Sequence, residues 1–306
     1  MRYTRRPTLL ASLVLCLASA LPPVAAQSVI DFREDLDFDR PEAWAMKYFS
    51  SATQLSGLGI PERLPAGAVE VGLEAGWIPS LSEQERRVGF YGTKVEDLNK
   101  TPVFARPRLT VGLPAAFSIT LAYVPPVEVG GAKPNLVSLA IGRPLLESGP
   151  WRLGFRLYGQ GGDIEADITC DSDTVAAGDD PVENPFLCEE PSRDRVTLRY
   201  AGLDLGGAYT TRGKRKVEVY GAVAATYLDP EFQVNARYSN LIDRTLQVTD
   251  GTTYSLTVGA RGALSQAVRL SVEAFYTPLT LVRRPDAEKE NQDFFNLRLL
   301  VTYRVR

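Results

Sequence analysis

From Gly67 onward, apolar and polar residues alternate with a period of two, and this pattern limits the fold more than any other feature of the chain. Val69, Val71, Leu73, Ala75 and Trp77 alternate with Glu70, Gly72, Glu74 and Gly76. Trp151, Leu153, Phe155 and Leu157 alternate with Arg152, Gly154, Arg156 and Tyr158, and Phe295, Leu297, Leu299, Val301 and Tyr303 with Asn296, Arg298, Leu300, Thr302 and Arg304. Successive side chains of a strand point to opposite faces, so each run is a strand with one apolar and one polar face. Ten strands are predicted, near 67–78, 104–113, 117–128, 136–147, 151–168, 195–210, 215–237, 246–264, 267–283 and 294–305, twelve being the alternative count.

The connections choose between two ways of closing such strands. Pro114-Ala115-Ala116, Ser148-Gly149-Pro150, Thr211 to Lys214 and Ser265-Gln266 are tight, whereas 79–103, 129–135, 169–194, 238–245 and 284–293 are long. Short turns at one end and long loops at the other predict an all-β, antiparallel, up-and-down transmembrane barrel. The competing fold is a soluble β-sandwich, which also alternates. Its dry core could not take the polar face of these strands: Glu70, Glu74, Arg106, Arg108, Arg152, Arg156, Glu218, Arg261, Arg269, Glu273 and Arg298. Unpaired charges there would each cost several kcal/mol, but in a barrel they face a lumen and pair across it. Phe117, Trp151, Tyr209 and Tyr303 near the turns, and Trp77, Tyr123 and Tyr276 near the loops, fit two aromatic girdles. No apolar run after residue 26 reaches 18 residues, so any membrane crossing is by strands.

The start of the chain predicts export. Arg2, Arg5 and Arg6 precede the apolar run Leu9 to Leu21, and Val24-Ala25-Ala26-Gln27 offers a small-residue cleavage site, so residues 1–26 read as a signal peptide. Leu15 and Leu17 flank Cys16, which does not fit a lipidation site. Removing the leader leaves 31 basic residues against 37 acidic ones, a net charge of −6, which argues against a nucleic-acid partner. Cys170 and Cys188 remain as an even pair in an exported chain, and are expected to form a disulfide.

Residues 27–66 form a separate N-terminal segment. A helix is expected over about 40–54, with Asp39 as N-cap, Pro41 in the first turn and Trp44, Tyr48 and Ala52 on one face. An even strand number puts both ends of the barrel on the turn side, so this helix is expected in the periplasm. There its Trp44/Tyr48 face either blocks the barrel mouth or stays unpacked. The acidic stretch Glu34 to Asp39 is the candidate partner for lumen arginines.

Residues 67–306 resemble Gram-negative outer-membrane β-barrel proteins as a class, by pattern and not by a specific motif. The closing strand Phe295 to Tyr303 resembles the terminal strand such proteins offer to the barrel-assembly machinery, although the chain continues to Arg304-Val305-Arg306, where many members end on an aromatic. The resemblance implies outer-membrane lipid and that machinery as partners. Barrel-type proteases, phospholipases and deacylases rely on a histidine, and this chain has none.

Without histidine, Ser-His-Asp and Cys-His sites and the usual zinc sites are excluded. Glu70 and Glu74 form a carboxylate pair, with Arg106 and Arg108 expected opposite, and an ion-pair ladder is favoured over catalysis. Residues 163–194 hold eleven acidic residues against Arg193 alone. Asp171, Asp173, Asp179 and Asp180 are weak candidates for a divalent cation, a solvated acidic loop being the plainer reading. No cofactor is expected. Two function classes result. One is a narrow pore or conduit for a small or amphipathic solute; the other is a structural barrel that anchors the acidic, disulfide-closed loop at the cell surface. An enzyme ranks third.

Overall fold

The computed structural model describes residues 28–213, 216–239, 241–283 and 288–305. The signal-peptide reading of residues 1–26 lies outside them. Ten antiparallel strands form a closed barrel: β1 (Val69–Trp77), β2 (Val103–Gly112), β3 (Ser118–Val124), β4 (Ala132–Ser148), β5 (Trp151–Ala166), β6 (Tyr200–Thr210), β7 (Val217–Leu228), β8 (Gly251–Ala263), β9 (Val268–Thr277) and β10 (Phe294–Arg304). Each pairs with the next in sequence, and β10 closes on β1 from Arg298 opposite Gly76 to Arg304 opposite Glu70. No edge remains at this seam, the condition under which strands can sit in hydrocarbon.

The register puts the predicted apolar face outward. Leu73, Leu139, Leu157, Val223, Val258 and Leu297 are all exposed, while Glu74, Arg106, Glu273 and Arg298, on the other parity, are buried in the lumen. Trp151, Tyr303, Trp77 and Tyr276 are exposed near the strand ends, and Trp151 stacks edge-on with Tyr209 at 4.8 Å between ring centroids. The loop-side girdle also holds Tyr227 and Tyr254. The Tyr227 and Tyr276 hydroxyls donate to Asp250 (2.8 Å) and Asp293 (2.6 Å), the polar end of a ring at an interface.

Several strands leave the barrel earlier than their alternation predicts. Residues 194–197 form a separate strand beside β5, Glu231–Gln233 pairs with it, Leu246–Val248 follows, and Arg33–Asp35 adds in parallel. A second small sheet joins Ser28–Ile30, Leu241–Asp243, Ala236–Tyr238 and Cys188–Glu190. Together they form a cap over the loop end. Alternation continues through these residues because the cap, like the barrel, has two faces. Cys170 and Cys188 are bonded, with Cα atoms 5.7 Å apart, and pack on Val234, Ala236 and Tyr238.

The N-terminal segment is where expectation and structure part. The helix exists, as α1 (Pro41–Thr53), but its N-cap is Arg40, not Asp39, and no side chain caps it. It does not lie at the turn-side mouth. Its first residues meet the long loops: Trp44 Nε1 donates to Gln292 O (2.9 Å), Lys47 Nζ to Thr280 O (2.9 Å) and Tyr48 Oη to Pro79 O (2.7 Å). Its last turn reaches the middle of the lumen. Residues 54–65 then run down the bore, and Gly67 N bonds to Gly112 O (2.8 Å) at the turn end, where β1 begins. The segment therefore enters the barrel from the loop side, and Ser28–Ile30 lies in the cap. A helix walled on every side needs no polar face, and all but one residue of α1 are buried.

Candidate functional site

The lumen is built around the end of α1. The last carbonyls of a helix have no partners within it and carry the negative end of its dipole. Three wall arginines meet them. Arg106 donates to Thr53 O (2.8 Å) and Gln54 O (3.1 Å), Arg298 to Ser51 O (2.9 Å) and also to Gln54 O, and Arg108 to Ser56 O (2.9 Å), two residues past the C-cap. Glu74 holds both Arg106 and Arg108, which alternate on β2. The Arg298 guanidinium lies 4.0 Å over the Phe275 ring. These charges are almost fully buried, so each must be paired, and here carboxylate and helix end share the task.

Below this seat the irregular segment is held at several points. Gln54 Nε2 donates to Tyr158 Oη (2.9 Å) and Thr226 Oγ1 (3.1 Å), Leu55 N to Tyr200 Oη (2.7 Å) and Leu58 N to Glu273 (3.1 Å). Glu62 then meets four arginines: Arg152 (3.7 Å), Arg261 (3.4 Å), Arg304 (3.1 Å) and Arg269. The wall is thinned where the segment passes. A Cβ on Gly206 would lie 2.3 Å from Ile60 Cδ1.

All eleven charged residues singled out in the sequence line this network. Glu70 pairs with Arg269 and Arg304 instead of Arg106 or Arg108; Glu218 pairs with Arg152 and Arg261; Arg156 with Asp204. The stretch Glu34 to Asp39 does not dock in the lumen. Glu34 pairs with Arg40 at the loop end, because the segment threads in from that side. Glu62, Asp204 and Arg304 were missed. The parity of their strands puts Asp204 and Arg304 inward, and Glu62 is the sole acid between Gly57 and Gly67.

The acidic loop is locally satisfied. Asp171 caps the short helix Ser172–Ala176 through Asp173 N and Thr174 N, and Asp180 accepts from Val182 N (2.8 Å). Asp171, Asp173, Asp179 and Asp180 do not converge, and among the described residues no group of three His, Cys, Asp or Glu is placed to hold a metal.

Above the occupied bore lie two adjoining cavities. The larger, about 320 Å³, sits between α1 and the cap; the smaller, about 150 Å³, lies between α1 and the barrel wall. Phe49, Leu98, Ile168 and Val196 line both. Phe90 and Tyr91, at the larger one, hold left-handed backbone (φ 47° and 62°), a conformation that costs a bulky residue about 1 kcal/mol or more. Arg40 stacks 3.7 Å over the Tyr91 ring.

The smaller cavity lies at a break in the wall. β2 pairs with β1 up to Val103, but its ladder with β3 stops at Arg108 opposite Ala122. The next rung falls on Pro107, which has no N–H, and β3 ends at Val124 before Pro125-Pro126. The cavity is lined from one side of this gap by Val103, Phe104 and Ala105, and from the other by Val124, Pro125 and Val127. Val103 and Val127 are exposed on the outer surface.

Fold and site together define a closed ten-stranded β-barrel whose bore is occupied by its own N-terminal segment, with two larger apolar cavities near the loop end. No protein-family model matches the chain, and no curated protein matches it. The solved structures similar to it are outer-membrane β-barrel proteins of Gram-negative bacteria. They include the outer membrane protease OmpT from Escherichia coli, at 11% identity over 78% of this chain and 94% of that one, TM-score 0.37. The translocator domain of the autotransporter NalP from Neisseria meningitidis is similar at 11% identity over 80% and 90%, TM-score 0.43. The Pseudomonas putida toluene transporter TodX is similar at 11% identity over 89% and 77%, TM-score 0.33.

Proposed function

We propose that the protein is an outer-membrane conduit that admits a small apolar or amphipathic molecule at its loop end and releases it sideways into the membrane, not along the bore. One observation carries this reading: two adjoining apolar cavities above a lumen occupied by the N-terminal segment, the second lined from both sides of the gap where the β2–β3 ladder ends. An axial pore is disfavoured by the same segment. The segment 51–62 occupies the bore and is bonded to the wall at Ser51, Thr53, Gln54, Leu55, Ser56, Leu58, Ile60 and Glu62, and the space beside it is a small pocket of about 90 Å³.

The purified protein in lipid nanodiscs should bind an uncharged aromatic probe above the level of empty discs, and in planar bilayers it should give no current steps. Replacing Ala105 with Trp at the lip of the gap should slow transfer of bound probe to acceptor vesicles while leaving binding intact. Regular current steps together with absent probe binding would refute the conduit reading. A second reading, a barrel anchoring its disulfide-closed cap for surface contact, is favoured by the extent of that cap, and it predicts neither current nor probe binding.

A further inference from the structure

The space beside the threaded segment, about 90 Å³ in the turn-side half of the lumen, is polar where the cavities above are apolar. Four arginines line it, Arg108, Arg156, Arg261 and Arg269, against two carboxylates, Glu62 and Glu70. Thr110, Thr120, Ser118, Ser271 and Thr302 add hydroxyls to the same lining. Glu74, Asp204 and Glu218, which hold Arg108, Arg156 and Arg261, lie outside it. The pocket falls between two charge clusters, each with one cation too many. Above it, Arg106, Arg108, Arg156 and Arg298 face Glu74, Asp204 and Glu273, four against three, and the helix end adds about half a negative charge. Below it, Arg152, Arg261, Arg269 and Arg304 face Glu62, Glu70 and Glu218, again four against three. Glu147 comes within 3.9 Å of Arg152 but is shared with Arg63. A guanidinium cannot shed its proton to relieve a surplus, as a buried lysine can, so the excess charge has to be met by an anion. The four lining arginine side chains are between 5% and 18% exposed, so water screens them only in part.

We propose that this pocket binds one small tetrahedral oxyanion, phosphate or sulfate, between the upper pair Arg108 and Arg156 and the lower pair Arg261 and Arg269, with the lining hydroxyls donating to its remaining oxygens. The inference is independent of the conduit reading, since it concerns the bore and not the cavities above it. Arginine and hydroxyl donors are the set that recognises phosphate and sulfate oxygens, the guanidinium through its paired N–H groups. A cation would add to the surplus, and a neutral solute would leave it uncompensated. A single water needs about 10–15 Å³ of such space, so the pocket exceeds one or two waters and suits an anion of a few heavy atoms. Gly57 to Glu62 line the pocket from the segment and the strands line it from the wall. A bound oxyanion therefore ties the two together and holds the segment in the bore.

Sodium phosphate is titrated calorimetrically into the purified protein in a zwitterionic detergent, against sodium chloride at matched ionic strength. It should show saturable binding of one anion per barrel with a Kd below about 1 mM, and sulfate should compete. At ten times Kd, the amides of Gly57 to Ile60 should exchange about tenfold more slowly. Ser271 lies opposite Arg261 and two residues after Arg269, so Ser271→Asp supplies the missing negative charge from the protein itself. In phosphate-free chloride, Ser271→Asp should unfold at least about 2–4 °C above the equally bulky Ser271→Asn, read from heat-modifiable gel migration. It should also bind phosphate at least about 10-fold more weakly than wild type. If neither variant folds, Thr302→Asp and Thr302→Asn, opposite Arg269, make the same comparison. Absence of saturable phosphate binding would overturn the site, and so would binding undiminished in the Asp variant, which would place the anion elsewhere. An Asp variant less stable than its Asn partner would show that the clusters carry no surplus and would overturn it too.

Discussion

Replacing Arg298 with Met tests whether the arginine seat holds the plug in the bore. Arg298 is 1% exposed and gives the helix end two hydrogen bonds, to Ser51 O and Gln54 O. A hydrogen bond to a charged group contributes about 1.5–3 kcal/mol, which sets an upper bound near 6 kcal/mol for the pair. Two effects reduce it. Gln54 O keeps Arg106, and Ser51 O keeps a weak bond from Gln54 N at 3.4 Å, so neither carbonyl is orphaned. Met also fills much of the volume beside Phe275 without the desolvation cost of a guanidinium. The net loss should be about 2–3 kcal/mol, or roughly 30- to 150-fold in the equilibrium for unseating. Amide hydrogen exchange reads that equilibrium directly. Amides in the second half of α1 should lose protection by that factor, while those of β4 and β5, paired along their whole length, should not change. Protection within about threefold of wild type would mean that the wall arginines merely neutralise Glu74 and Glu273 and contribute little to seating the helix.

Deleting residues 28–60 should convert the silent barrel into a conducting one. The lumen left behind has Arg106, Arg108, Arg152, Arg156, Arg261, Arg269, Arg298 and Arg304 against Glu62, Glu70, Glu74, Asp204, Glu218 and Glu273, so the pore should select anions, measurable as a reversal potential in a salt gradient. Reducing the Cys170–Cys188 bond, which closes a loop worth roughly 3 kcal/mol in a chain-entropy account, should raise proteolysis within 167–193 and leave the heat-modifiable gel migration of the barrel unchanged. Burial pushes the Glu96 carboxyl up to about 8, with Lys94 opposing and Asp194 and Glu42 reinforcing the shift. The folded pKa thus exceeds the unfolded one, so this contribution to cap stability is fully present below the ordinary glutamate value and is lost as pH rises to about 8. Exchange protection factors of residues 87–98 should fall over that window in the wild type and stay level in Glu96→Gln.

The barrel was legible because a barrel strand leaves each residue only two environments. Leu297 faces outward and Arg298 inward, and this choice, repeated at every second position, determined strand and face, while the lengths of the connections pointed to closure. The same parity would have delivered Asp204 and Arg304. The disulfide needed only the parity of the cysteine count. The cap was less legible: residues 194–197 and 231–233 alternate like barrel residues, and periodicity does not say which strand a segment pairs with.

The direction of the N-terminal segment could not be read from local sequence at all. Pro41, Trp44 and Tyr48 announce a helix with apolar residues to cover, and the lumen arginines announce a demand for negative partners. The sequence offered Glu34 to Asp39 as those partners because side-chain charge is what a sequence displays. What meets Arg106 and Arg298 instead is backbone, the carbonyls of Ser51, Thr53 and Gln54, whose availability depends on where a helix ends and which way it points. Alternation along each strand is a local property and determined the container. What fills the container, from which end, and the apolar space left above it depend on long-range contacts between residues 41–65 and all ten strands, and those only the tertiary structure decided.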